Sequence, residues 1–139
     1  YCGQFHYYWR DAISYSRHPI VSNQMEYSLH DRFIENKIMP FCMVNKISII
    51  AYSPLVKCNP SPKPEQCLLL IQMAEKYGKT VSQIFLNWVI AHPDVIAIPK
   101  ATNISHVESN AKAADFQIMS EDMQTIDKEF SLEIKFSIP

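Results

Sequence analysis

The sequence predicts an α/β protein built on a parallel sheet, because short apolar segments alternate with segments of helical spacing. Residues 20–23, 47–51 and 95–98 have the length and the apolar character of buried strands. Helical segments separate them, and parallel strands require such crossovers. A further helix is expected over residues 7–16. With 139 residues, the chain is long enough for one domain with its own core.

The first crossover is predicted to be one helix over residues 31–45, in which Pro40 would bend or interrupt the chain. Its inward face would consist of Phe33, Ile34, Ile38, Phe41 and Cys42. The run that follows, Ile47 to Ala51, is nearly all apolar, which is typical of a parallel strand buried on both faces.

The second crossover is predicted to contain a proline-rich loop and two helices. The loop comprises residues 59–64, and the first helix comprises residues 65–77 and stops at Gly78. Thr80 and Gln83 have capping-box spacing and would begin the second helix. The inward positions would be Cys67, Leu70, Ile71, Ala74 and Tyr77 in the first helix, and Val81, Ile84, Phe85 and Trp88 in the second.

Two more helices are predicted after the third strand. One covers residues 103–114, and the other begins at Ser120, whose hydroxyl would cap it. Residues 131–139 would form a tail. The inward positions would be Ile104, Val107, Ala111 and Ala114 in the first, and Met123, Ile126 and Phe130 in the second.

Composition excludes several classes of function. The net charge of −1 gives no electrostatic reason to expect nucleic acid or an anionic membrane as a partner. No apolar run approaches the roughly 20 residues that span a bilayer. The two glycines are too few for a GxGxxG turn or a P-loop.

The cysteines and histidines suggest no metal site. The four cysteines, at positions 2, 42, 58 and 67, form no CxxC pair and have no zinc spacing with histidine. They are interpreted as reduced thiols, and the start of the chain has no signal-peptide pattern, so a cytoplasmic protein is expected. The histidines at positions 18, 30 and 92 are expected on the surface.

Three segments, taken in order and with their spacing, are distinctive. They run from Val21 to Leu29, from Ile49 to Leu55 and from Ala97 to Asn110. With them, residues 18–130 resemble the second half of the aldo-keto reductase family. The resemblance implies a (β/α)8 TIM barrel with its active site at the C-terminal ends of the strands. Residues 1–139 would then be a single partial domain, about the C-terminal half of the barrel, with strands six to eight and their helices.

The resemblance implies a site for the nicotinamide end of a dinucleotide. Gln24 corresponds to the residue that hydrogen-bonds the carboxamide, for which an amide side chain is both donor and acceptor. Tyr52 corresponds to the aromatic residue that stacks on the nicotinamide ring. Ser53 and Leu55 begin the loop that the family folds over the pyrophosphate.

The resemblance also implies a phosphate site after the third strand. Lys100 corresponds to the lysine that contacts the 2′-phosphate of NADP. Ala101, Thr102 and Asn103 would supply backbone and polar contacts. A cation beside the free N–H groups of a helix N-terminus can bind an anion without glycines.

The adenosine side of this site departs from the family pattern at two positions. Asn110 matches the asparagine that contacts adenine, whereas Ser109 replaces a common glutamate. His106 stands where many members have an arginine, and an imidazole lacks the guanidinium fork and is mostly neutral at pH 7. NADP is therefore the expected cofactor, with NAD as an alternative.

Family chemistry uses an Asp, Tyr, Lys and His tetrad from the first half of the barrel, and its motifs are not found in this chain. Two readings follow. The chain is a portion of an NAD(P)H-dependent oxidoreductase that reduces small aldehydes, ketones or sugars, and it would be inactive alone. Alternatively, it is a non-catalytic half-barrel that binds a nucleotide or a partner protein. Open barrel edges would favour self-association. An unrelated three-stranded α/β domain is a third reading.

Overall fold

A computed structural model of the chain describes residues 13–55 and 63–131. Three parallel strands form one sheet in the order β1 (Ser22–Glu26), β2 (Ser48–Tyr52) and β3 (Val95–Ala97). Each strand pairs with the next along the chain, so every crossover advances the sheet by one strand. The predicted parallel α/β arrangement is confirmed. The first two strands begin one or two residues later than predicted.

Helices make up most of the remaining described chain. The bounds are α1 (Ile38–Val44), α2 (Pro64–Tyr77), α3 (Val81–Ile90), α4 (Ile104–Ala111) and α5 (Ser120–Glu129), with 3-10 turns at Phe33–Asn36 and Lys112–Ala114. Residues 13–15 are helical as well, while the rest of the predicted helix over 7–16 lies mainly outside the described residues. The predicted tail over 131–139 also lies outside them, apart from its first residue.

The first crossover is interrupted, as predicted, but the break lies at Lys37 rather than at Pro40, so the predicted single span over residues 31–45 was wrong. A 3-10 turn ends at Asn36, the backbone leaves the helical region at Lys37 with φ −142°, and α1 begins at Ile38. Pro40 is therefore the third residue of α1, where its missing N–H would have had no intrahelical partner. The chain accommodates the proline by starting a new helix two residues before it.

The turn between α2 and α3 follows the predicted local chemistry. Gly78 ends α2 in the left-handed conformation with φ 61°. The hydroxyl of Thr80 accepts a hydrogen bond from the Gln83 backbone N–H at 3.2 Å, and the Gln83 side chain accepts one from the Thr80 N–H at 2.9 Å. The predicted capping box is confirmed, and it fixes the direction of α3, whose residues from Gln83 to Val89 are all buried.

The inward face predicted for α2 was partly wrong. Leu70 and Ala74 are buried as expected, and Met73 joins them, but Cys67 and Ile71 are exposed. This helix has apolar residues on more than one face, so its periodicity does not single out one stripe. The contacts with α3 and α5 select the stripe that is buried.

The last two helices also differ from prediction. Helix α4 buries no residue completely, and Ile104 and Val107 are exposed, because no described element covers that side of it. Ser120 makes no capping hydrogen bond and is the first residue of α5, so the predicted cap was wrong. Ile126 and Phe130 are buried as predicted.

The sheet is covered on one face. Asn23, Ile49 and Val95 point towards the helices and are buried. On the opposite face, Ile96 is 54% exposed and Tyr52 is 38% exposed. The expected burial of the second strand on both faces is therefore not observed within the described part of the chain.

A polar network joins the exit of β1 to the helical layer. The Tyr27 hydroxyl donates to Glu35 Oε1 at 2.8 Å. Arg32 pairs with both Glu35 oxygens at 2.9 and 3.0 Å and with Asp127 Oδ1 at 3.0 Å. Trp88 Nε1 donates to the same Asp127 oxygen at 3.0 Å. The loop after β1 is thereby tied to α3 and α5.

Two of the histidines expected on the surface, His30 and His92, are half-buried. His30 packs between Phe85 and Phe130, with ring centroids 5.8 and 5.1 Å away. His92 packs on Trp88 at 4.6 Å, and its Nδ1 lies 3.0 Å from the Trp88 carbonyl oxygen. Aromatic side chains cover part of both rings, which chain position alone does not indicate.

Candidate functional site

The carboxyl ends of β1 and β2 present polar and aromatic side chains on the open face of the sheet. Gln24 lies opposite Ile50, and Glu26 lies opposite Tyr52, so Gln24 and Tyr52 are diagonal neighbours on the same face. Both are exposed. The Tyr52 hydroxyl is 3.5 Å from Glu26 Oε2. An aromatic ring and an amide thus flank a patch that could receive a flat polar ring.

The loop after β2 leaves the sheet through an unusual backbone conformation. Ser53 has φ 51°, a left-handed value that costs a non-glycine residue roughly 1–3 kcal/mol. Pro54 next to it is buried, and Leu55 is half buried. Two residues after Ser53, Leu55 packs against the hydrophobic core.

A pocket of about 250 Å³ lies beyond this turn. It is lined by Leu55, Thr80, Ser82, Lys100, His106, Ser109 and Asn110. The structure thus brings together four residues that the resemblance predicts for the cofactor site, namely Leu55, Lys100, His106 and Asn110. Thr80, Ser82 and Ser109 complete the lining and are absent from the predicted set.

The fold explains why these residues meet. Leu55 follows β2 and Lys100 follows β3, while Thr80 and Ser82 are at the start of α3, which runs back along the sheet. His106 and Asn110 are four residues apart and share one face of α4. A signal for Thr80 was present, since a capping box marks a helix N-terminus. In this topology a helix that leads back to the start of the next strand, as α3 does, begins at the edge where the strands end.

A side-chain bridge fixes the two helical walls of the pocket. Gln83 Nε2 donates to the Ser109 carbonyl oxygen at 2.9 Å, while the same amide caps α3. Asn103 Oδ1 accepts from the Ser105 N–H and hydroxyl, both at 2.9 Å, and so caps α4. The side-chain oxygen of Asn103 therefore caps α4, and the ligand contact predicted for this residue stays a prediction.

The other predicted residues lie around the pocket. Ala101 is half buried and lines an adjoining, mostly apolar cavity of about 370 Å³, which shares Asn110 with the first pocket. Thr102 and Ser53 are exposed. Gln24 and Tyr52 are on the sheet face and do not line the pocket.

The lining of the smaller pocket suits an anion. It contains one lysine, one histidine, three hydroxyls and one carboxamide. None of the described residues that line it is acidic. Ammonium and hydroxyl groups are the donors that phosphate oxygens accept from. Within the described ranges, no group of three histidine, cysteine or acidic residues could hold a metal ion.

A tyrosine, a lysine and an aspartate also meet elsewhere, between α2 and α5. Lys76 Nζ lies 2.7 and 2.8 Å from the Asp122 oxygens, and the Tyr77 hydroxyl donates to Asp122. The same hydroxyl accepts the Met119 N–H at 2.8 Å. Burial and the carboxylate raise the pKa of Tyr77. This phenol is fully engaged in joining two helices, and we interpret the cluster as a clamp.

Comparison with known proteins gives the family. The sequence profile described as "Aldo/keto reductase family" matches residues 9–129. The chain belongs to this family. The sheet and its helices are accordingly part of a (β/α)8 barrel, and the fold class implied by the resemblance is confirmed.

Named relatives agree with this assignment. A methylglyoxal reductase of Escherichia coli (strain K12) is 33% identical over 79% of the chain and 39% of its own length. An NADP-dependent D-sorbitol-6-phosphate dehydrogenase of Malus domestica is 33% identical over 91% of the chain and 41% of its own length. A crystal structure of an aldo/keto reductase from Klebsiella pneumoniae in complex with NADP and acetate is 37% identical, with a TM-score of 0.73, over 79% of the chain and 39% of that structure.

The chain spans about two fifths of the length of these relatives. In the described part of the chain, no helix is both long and apolar enough to cross a membrane.

Proposed function

We propose that this chain is the cofactor-binding portion of an NADP(H)-dependent aldo-keto reductase that reduces small aldehydes, ketones or sugars. The observation that carries the proposal is the pocket at the carboxyl edge of the sheet, which combines Lys100 and His106 with hydroxyl groups and Asn110. Relatives described as NADP-dependent or solved with NADP support the same cofactor.

The residues fit the two ends of a dinucleotide. Lys100 and His106 would bind the 2′-phosphate, and the Asn110 amide would contact the adenine. On the sheet face, Tyr52 offers a ring for stacking, and Gln24 offers a donor and an acceptor for the carboxamide. The nicotinamide supplies the hydride when it is bound. The residues of this chain bind and orient the cofactor, and NAD is the alternative ligand.

Proton donation is not assigned to this chain. Tyr77 is engaged by Asp122 and Met119. The Tyr52 hydroxyl lies 3.5 Å from Glu26 Oε2 on the exposed face of the sheet. We therefore propose that carbonyl reduction requires residues from the rest of the barrel and that the chain alone is inactive.

The decisive experiment measures NADPH binding by quenching of tryptophan fluorescence. Lys100→Met removes one charge-assisted contact and should weaken binding about 10- to 100-fold. Lys128→Met, an exposed lysine of α5 outside the pocket, is the matched control and should leave affinity unchanged. Equal affinities of the wild type and both variants would overturn the assignment.

Catalysis is tested separately by following NADPH oxidation with methylglyoxal. We expect no turnover with the chain alone, and turnover when it is combined with the N-terminal half of a relative. Turnover by the isolated chain would show that it contains its own proton donor.

A second candidate function is association through the open sheet. Exposed apolar side chains at Ile96 and Ile98, together with the partly exposed Tyr52, form the observation that favours it. Under this reading the chain is a non-catalytic module that binds a nucleotide or a partner protein, or associates with itself. This reading would be favoured if the chain binds NADPH but shows no turnover when it is combined with the N-terminal half of a relative.

A further inference from the structure

The larger cavity, of about 370 Å³, lies between α3, β3 and α4. Its floor contains Leu86 of α3 and Ala113, which are 2% and 1% exposed, and Ile90 lies one turn beyond Leu86. Ala111 and Ala114 line its exposed side. The cavity therefore opens to solvent across a rim of methyl groups and extends into the layer between the helices and the sheet.

Two buried amide side chains hold α4 at a fixed distance from α3. Gln83 Nε2 donates to the Ser109 carbonyl oxygen at 2.9 Å, and one turn further along α3, Asn87 Nδ2 donates to the Ala113 carbonyl oxygen at 2.9 Å. Asn87 Oδ1 also accepts the Ile118 N–H at 3.3 Å. Protein interiors normally close an apolar space by local collapse. Here collapse would break hydrogen bonds of buried amides, so the cavity is preformed.

The lining of this cavity suits an uncharged, apolar ligand. None of the described residues that line it is charged, and among them only Asn110 has a polar side chain, whose amide can both donate and accept. An apolar cavity of about 150 Å³ can hold one benzene ring. A volume of about 370 Å³ therefore suits two fused rings. A rigid ring system also loses less conformational freedom on binding than an alkyl chain of equal volume.

We propose that this cavity is a binding site for an uncharged ligand of two fused aromatic rings that carries one N–H or hydroxyl group. The rings displace water from Leu86 and the alanine methyl groups, and the polar group hydrogen-bonds the Asn110 amide. A carboxylate on the same rings weakens binding, because no described lining residue supplies a compensating charge. The site requires no nucleotide, so its test does not depend on the proposed cofactor pocket.

The experiment titrates the full chain with indole in the absence of nucleotide and follows the alanine methyl resonances by NMR. We expect saturable shifts at Ala111, Ala113 and Ala114 with a Kd of about 50 to 500 μM, a range that suits a ligand of this size. Indole carboxylate, the charged analogue, should bind at least about fivefold more weakly. The proposal would be overturned if the shifts do not saturate, or if they are confined to Ile96 on the open sheet face.

A cavity-filling variant gives a second measurement. Ala111→Leu extends a branched side chain into the cavity and should weaken indole binding about tenfold or more, while the midpoint of thermal unfolding stays at or above that of the wild type. Ala91→Leu, the same change at an exposed alanine outside the described lining, is the matched control and should leave the affinity unchanged. Equal affinities of Ala111→Leu and the wild type would show that indole does not occupy this cavity. Ala114→Leu repeats the test from the adjoining 3-10 turn if Ala111→Leu does not fold.

Discussion

At the scale of single residues, His30 shows a polar side chain held in an apolar environment. Its ring lies between Phe85 and Phe130, and its buried Nε2 atom has no hydrogen-bond partner among the described residues. Burial lowers the pKa of His30 below its ordinary value, because the charged form would lose its hydration. The folded chain therefore resists protonation at this site.

The first prediction concerns this histidine and acid stability. As pH falls below about 6.5, the unfolded chain takes up a proton that folded His30 does not, so the free energy of unfolding decreases. His30→Phe should lose less stability between pH 7 and 5 than the wild type does, as measured by urea unfolding. The same change at the exposed His18 should leave the wild-type slope. The prediction would be contradicted if His30→Phe left the change in the free energy of unfolding between pH 7 and 5 as it is in the wild type.

At the scale of elements, the chain relies on side-chain bridges between helices that lie far apart in sequence. Asp122 of α5 accepts hydrogen bonds from Lys76 and Tyr77 of α2, and these partners lower the pKa of its carboxyl. The contribution of this clamp to stability is present above the ordinary pKa of an aspartate. It is lost as pH falls through the lowered value.

The second prediction tests this clamp. Asp122→Asn removes the ion pair and weakens the Tyr77 contact. We expect amide hydrogen exchange in α5 to accelerate about three- to tenfold at pH 7. The matched control is Glu129→Gln at the exposed end of the same helix, which should change exchange little. Unchanged protection of α5 in Asp122→Asn would show that the clamp does not hold the helix.

At the scale of the whole molecule, the described residues cover one face of a three-stranded sheet and leave the other open. The relatives, of which the chain spans about two fifths, form the whole barrel. An open sheet with exposed apolar side chains favours association with another chain. The apolar surface at β3 is the site where this tendency is expected to be strongest.

The third prediction concerns that surface. Ile96→Lys places a charge on the open sheet face and should reduce concentration-dependent self-association, measured by light scattering coupled to size-exclusion chromatography. Ile104→Lys is the control, because Ile104 is 78% exposed but lies on α4. An equal effect of the two substitutions would indicate general solubility rather than pairing through the sheet.

The sequence by itself determined the α/β class, the order of strands and helices, and the capping box at Thr80. These features depend on periodicity and turn chemistry over a few neighbouring residues. Family motifs in the same sequence also indicated most of the charged and amide groups that line the proposed cofactor pocket, including Lys100 and Asn110.

The tertiary structure alone decided which stripe of α2 is buried, where the helix before Pro40 breaks, and that His30 is partly covered by aromatic rings. It also decided that Thr80 and Ser82 line the same pocket as Lys100. These outcomes depend on contacts between residues that are tens of positions apart. Local sequence patterns leave such contacts undetermined because several faces of one element are equally able to make them.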